Sequence, residues 1–350
     1  MKLKNDLDII VEKIKYINPI AIILYGSYGR GEGAWYDDKF GSKLPYNDYD
    51  ILIILKSLIS KIELKRIKKS LHKEINIKWI DLSQKTEKNI KNLNSSIFNY
   101  DLKYASKVIY GDTKILELIP KIESSRLSLE EGNLLFKTRM WAFLGSLKKS
   151  GFSAKYDEKE CQFFKYQMAK ALLAVIDVLL LQKGQYVSSY KMRIEIFKKL
   201  YPDKKKQYQI FDWALREKLN PKLIKMNVSD MKNLYLSVYN IYMKEMLKLL
   251  SKYYSSRMNN PEKLIYFWSY SFKTVLKRIA YIVIFRNLNF EKKILLEKAQ
   301  LYIFLSLNKN KNRNIYLFKI NRILKQLDNS ISTNLSLDEC RVLVSKIRLN

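Results

Sequence analysis

Two short apolar runs decide what the N-terminal part of this chain can become. Ala21–Tyr25 reads AIILY and Asp50–Leu55 reads DILIIL. Each is rich in Ile and unbroken by polar residues once it begins. Both are too short for a core helix and suit strands buried on both faces. Pro19 ends the preceding amphipathic helix, where Leu3, Leu7, Ile10, Val11, Ile14 and Ile17 recur at helical spacing. A Lys-rich helix over 57–74 and a third strand, Ile75–Leu82, follow the second run. That order predicts an α+β (α/β) fold, with a small mixed sheet first and a large all-α region after it.

Beyond about residue 90 the periodicity is helical, with helices over roughly 132–149, 158–183, 190–200, 230–254 and 261–287. Ser128 with Glu131, and Ser336 with Glu339, read as capping boxes. Asn220-Pro221 and Asn260-Pro261 read as helix starts, a capping residue before a proline at the first helical position. Asn308–Asn314 (NKNKNRN) is a low-complexity loop. The expected division is residues 1–118, 119–258 and 259–350.

Charge and cysteine usage narrow the classes. The formal net charge is +31, spread along the chain, with Lys outnumbering Arg 52 to 13. Two readings stay open: a solvated Lys-rich surface, or one that attracts a polyanion such as an NTP, RNA or acidic lipid. Cys161 and Cys340 stand far apart with no partners at metal-ligand spacing, so neither a disulfide framework nor a zinc site is expected. The opening MKLKNDLDII lacks the apolar core of a signal peptide, and Asp177 interrupts the most apolar stretch, Ala171–Leu181. A cytoplasmic protein with no membrane span is the expectation.

The chemistry concentrates between residues 22 and 82. Asp48 and Asp50 sit two apart leading into a strand, so their side chains share a face. Two carboxylates so close repel unless a cation lies between them. Mg²⁺ is the natural candidate, since it takes one or two carboxylates together with substrate phosphates. The first strand ends in Gly26-Ser27, followed by Gly29, Gly31 and Gly33, which leave backbone room for a phosphate. Either half alone could be an ordinary turn; the combination is far rarer than its parts.

With IILYGSYGRGEG and YNDYDILII in place, the chain resembles the polymerase-β nucleotidyltransferase superfamily, nearest to its minimal and aminoglycoside-adenylylating branches. Gly26, Ser27, Arg30, Gly31 and Glu32 fall on the Gly-Ser-x-x-Arg-Gly-Glu of that group, and Asp48 and Asp50 on its metal pair. Asp81, in Ile80-Asp81-Leu82, matches the third carboxylate. The resemblance implies a Mg²⁺-dependent transfer of NMP, with AMP from ATP the expected case, to a hydroxyl acceptor with release of pyrophosphate. It implies two metal ions, Mg²⁺ or alternatively Mn²⁺, held by Asp48, Asp50 and Asp81 about 4 Å apart. Asp81 would lie nearest the nucleophile, and Gly26, Ser27 and Arg30 would bind the nucleotide. Fourteen residues, Ala34–Asn47, separate Gly33 from Asp48 where the minimal enzymes use few. They form either a small hairpin or a surface excursion, in which Asp37 and Asp38 read as solvated.

The region after residue 119 resembles the helical, HEPN-like domain attached to such transferases. On that likeness Lys170 and Lys191 would reach the triphosphate. Some HEPN domains cleave RNA with an Arg-x₄₋₆-His motif; Arg66 and His72 have the spacing but lie on the helix between strands two and three. RNase activity is therefore not expected. Two other functions stay open: nucleotide addition to RNA or synthesis of a signalling oligonucleotide, and an antitoxin-like module that binds RNA or protein.

Overall fold

The computed structural model describes residues 2–257 apart from 38–40, 42 and 76–79, and then residues 263, 264, 267, 289–307 and 312–349. Most of the expected helix over 261–287, Asp38, and most of the 308–314 loop lie outside the described residues. The chain forms two compact units, one of residues 1–131 with 179–222 and one of residues 132–178 with 223–350.

In the first unit α1 (Lys2–Ile14) leads through a single 3₁₀ turn to β1 (Ala21–Tyr25), and one helical turn, α2 (Gly26–Gly29), follows directly. The stretch before Asp48 is a hairpin, settling the alternative left open by its sequence: β2 (Trp35–Asp37) pairs antiparallel with β3 (Lys43–Pro45). Then come β4 (Tyr49–Leu55), α3 (Lys61–Glu74), β5 (Ile80–Thr86), α4 (Glu87–Lys91), α5 (Ile97–Ala105) and β6 (Lys107–Gly111). The main sheet has the order β5-β4-β1-β6, with β1 antiparallel to both neighbours and β4 parallel to β5. The sheet is thus mixed, as expected. β6 was not anticipated; as an edge strand with exposed ends it lacks the apolar density that marks β1 and β4.

Alternation along β1 and β4 feeds two cores, which explains why both strands are apolar throughout. Ile22, Leu24, Ile51 and Ile53 join Ile10 and Ile14 of α1 and Ile67 and Leu71 of α3. Ala21, Ile23, Leu52 and Ile54 face the other way, against Leu102, Ile115, Leu181 and Tyr186. The last two come from the segment 179–222, which supplies α9 (Tyr190–Leu200) and α10 (Lys205–Leu219) to this unit. The partition therefore differs from a break at 118, because the second face of the sheet is completed from some 60 residues further along.

The second unit is all helical. It contains most of α6 (Leu129–Arg139), α7 (Trp141–Gly145), α8 (Glu158–Gln182) up to Val178, α11 (Val228–Tyr253), and helices Asn289–Ser306, Arg313–Leu327 and Leu337–Leu349. An aromatic cluster forms its middle: Phe143 packs edge-on against Tyr235, Tyr242 and Phe304. Arg341 is 2 % exposed and donates to the carbonyls of Leu144, Leu147 and Lys148, closing the chain end that follows α7. The C-terminal helices thus share a core with α7 and α11 and do not form a separate extension.

Capping shows where sequence signals compete. Ser336 and Glu339 do form the expected reciprocal box. Glu131 does not cap its own helix; its carboxylate accepts from the Ile97 amide at the start of α5, 2.9 Å away. Asn220 caps the end of α10, and the helix start expected there falls at Asn227, whose side chain accepts from Asp230 N.

Candidate functional site

The site grows from the end of β1. Tyr25 lies opposite Asp50 in the antiparallel register, and Asp50 lies opposite Asp81 in the parallel one. Three neighbouring strands thereby bring the Gly-Ser turn and two carboxylates to one edge, with Asp48 two residues before Asp50. Gly26 has φ +66°, and a Cβ built on it would stand 1.9 Å from Asp50 Oδ2. The side chain of Asp50 occupies the space that only glycine leaves free.

The charges of Asp48 and Asp81 both act on Asp50. Burial, then the charges of Asp48 and Asp81, push the Asp50 carboxyl up to about 7, against a smaller opposing pull from Arg30 and Lys218. Burial likewise pushes the Tyr25 phenol up to about 12, and Asp50, Asp81 and Asp48 add to it while a hydrogen bond with Ser83 opposes. Asp48 and Asp81 are exposed. Among the described residues no three of His, Cys, Asp and Glu are gathered into a metal cage. A Mg²⁺ site completed by water and substrate phosphates requires no such cage. The fit rests on Asp50: a carboxyl raised by burial first, and then by two like-charged neighbours, is the group a divalent cation would relieve.

Opposite the carboxylates stands a residue with no signal in the sequence. Lys218, near the end of α10, is 2 % exposed, and its Nζ donates to Ser27 Oγ at 3.1 Å. It is one lysine among 52, outside the helices expected from the sequence. The turn, the carboxylates and this ammonium belong to one compact unit.

The remaining residues of the GRGE segment are held in a network. Arg30 Nη1 donates to Asp101 Oδ2 at 3.1 Å, and its guanidinium stands 5.0 Å from the Tyr190 ring centroid. Asp101 also accepts from the Tyr186 hydroxyl at 3.2 Å and from Arg193, and Arg193 donates to Tyr186 in turn. Burial works against the charge on Arg30, but Tyr190 and Asp101 more than offset it and raise its pKa. Arg30, expected at the nucleotide, is thus engaged in joining α5 to the start of α9. Glu32 completes that junction. Its carboxylate accepts from Ser189 Oγ at 2.8 Å, Tyr190 N at 3.0 Å and Lys191 N at 3.3 Å. These amides open α9, where an anion is favoured.

Glu32→Ala leaves two partly buried amides and a hydroxyl without their acceptor, so a loss of about 1–3 kcal/mol is expected. Denaturant unfolding measures it, and hydrogen exchange at the Tyr190 and Lys191 amides locates it. Unchanged exchange there would count against this role for Glu32.

Of the two helical lysines, Lys191 is at the start of α9 with an exposed side chain, its amide held by Glu32. Lys170 belongs to the second unit, on α8, with Nζ 5.0 Å from the Tyr166 ring centroid. The hairpin is pinned beside the site: Tyr28 donates to Ala34 O at 2.7 Å, and Ala34 N donates to Asn47 Oδ1 at 3.0 Å, one residue before Asp48. The described part of α3 pairs Arg66 with Glu63 at 2.8 Å, on an exposed face. Among the described residues no helix is long and apolar enough to cross a membrane. Comparison with protein-family models and with curated proteins finds no match.

Proposed function

We propose that this chain is a divalent-metal-dependent nucleotidyltransferase that moves NMP, with ATP the expected donor, onto a hydroxyl and releases pyrophosphate. The observation that carries the reading is the packing of the Asp50 carboxylate into the space left by Gly26, where the charges of Asp48, Asp81 and Lys218 all act on it. An anionic trio for metal and a buried ammonium on a Gly-Ser turn are the two poles that a metal–triphosphate complex spans.

Asp48, Asp50 and Asp81 would hold the ions. When bound, they supply Lewis-acid polarisation of the α-phosphoryl group and offset charge on the leaving pyrophosphate. Ser27 and Lys218 bind the terminal phosphates and keep the donor in line. Asp81, exposed at the strand edge, takes the proton of the attacking hydroxyl. No protein nucleophile is required, because positioning and charge stabilisation carry this chemistry. The two free thiols, Cys161 and Cys340, are buried and suit a reducing, cytoplasmic setting.

The test is release of labelled pyrophosphate from each NTP with Mg²⁺ or Mn²⁺ and pools of RNA, protein and small-molecule hydroxyls. Release from at least one NTP is expected, falling by about 10²-fold or more in Asp48→Asn and Asp81→Asn. No release by the native chain across all pools would overturn the reading.

A further inference from the structure

The contacts around the turn close on themselves. Ser27 accepts from Lys218. Lys218 Nζ lies 5.8 Å from the Tyr190 ring centroid. The Tyr190 amide is held by Glu32 at 3.0 Å, and the Glu32 amide donates back to Ser27 O at 2.9 Å. Three cations surround that ring, since Arg30 and Arg193 stand 5.0 Å and 4.6 Å from its centroid. A ring anchored through its own backbone and flanked by guanidinium groups has little freedom to turn. An ammonium held within about 6 Å of an aromatic face is attracted to it, the more so when little water is present. Lys218 reaches the turn on a flexible four-carbon stem.

We propose that Tyr190 is a positioning residue for Lys218: its ring fixes where the buried ammonium meets Ser27, and through it the place of the donor's terminal phosphates. Tyr190 acts through the lysine and not on the reacting atoms. The role rests on the nucleotidyl-transfer reading for its purpose, but its physical content is polyphosphate binding, which can be measured alone.

Calorimetric titration of the full chain with inorganic tripolyphosphate, without metal or acceptor and at fixed ionic strength, tests it. Tyr190→Leu is expected to weaken binding about tenfold, and Tyr190→Phe, which keeps the ring, to recover most of that loss. Lys218→Gln is expected to weaken binding at least as much, and the Tyr190→Leu/Lys218→Gln double variant no more than Lys218→Gln alone. Thermal midpoints accompany each titration, and Tyr190→Met replaces the leucine variant if that one does not fold. Binding unaltered in Tyr190→Leu, a double variant in which the losses multiply, or a Phe variant as weak as Leu overturns the proposal. So does a native chain that binds no tripolyphosphate. Tyr190-dependent binding without pyrophosphate release from any NTP would instead overturn the transfer reading and leave this one standing.

Discussion

Gly26→Ala is expected to cost about 2–4 kcal/mol of stability and to lower nucleotidyl transfer by about 10²-fold or more. The two effects share a cause. At φ +66° an L side chain is strained, and the added methyl would stand 1.9 Å from Asp50 Oδ2. Asp50 must then rotate or β4 must shift, and either moves the carboxylate away from Asp48 and Asp81. The contact is with the carboxylate tip, so the protein has one inexpensive escape, a new Asp50 rotamer. That escape spares stability at the expense of the site. Unfolding and transfer measured on the same preparation separate the routes: a variant with a near-native midpoint but no activity identifies rotation. A variant native in both respects would remove the basis for placing Asp50 against the turn.

The second large effect is on pH dependence. Asp50 ordinarily titrates near 3.8 and is raised to about 7 in the folded chain, by burial first and then by Asp48 and Asp81. Between these values the folded state keeps a proton that the unfolded chain has released. Stability from this group is therefore complete below about 4 and is lost as the pH rises through about 7. Asp50→Asn removes the dependence. In the absence of divalent cations the Asn variant is expected to be more stable than the native chain at pH 8 by about 1–3 kcal/mol, and nearly equal to it at pH 4. Millimolar Mg²⁺ should raise the native midpoint at pH 8 and leave that of the variant almost unchanged. On the proposed transfer reading, activity is expected to be lost in the variant at every pH. Parallel pH profiles for the two proteins would show that Asp50 is not the strained carboxyl described here.

Legibility followed the distance over which each signal acts. β1 and β4 could be read because short apolar runs, Gly-Ser and Asp-x-Asp are local patterns with local causes, whereas the sequence left the hairpin before Asp48 open. Asp81 was readable for the same reason, although its strand runs on to Thr86, past the expected end at Leu82. Lys218 could not be read: a lysine is selected by what it meets, and Ser27 lies 191 residues away. Arg30 and Glu32 were visible as a motif, but their tasks were not, because Asp101, Ser189 and Tyr190 take them up from other segments. Glu131 shows a local rule giving way, where a capping signal was outcompeted by the free amide of Ile97. β6 had too little burial to leave a pattern at all.

The contribution of residues 179–222 to the first unit has a bearing on how the protein is made. Once residue 131 has left the ribosome, the sheet strands are all present, yet one face lacks Leu181 and Tyr186, and the Gly-Ser turn lacks Lys218. Synthesis of the missing span, roughly 90 residues, takes about 5–20 s at ordinary elongation rates. During that interval the nascent chain carries a half-covered sheet and a carboxylate cluster still without Lys218. α8 runs from the second unit into residues 179–182 of the first, so the two units mature in overlapping order and not one after the other. A chain cut short between 131 and 222 is thus a natural client for chaperones.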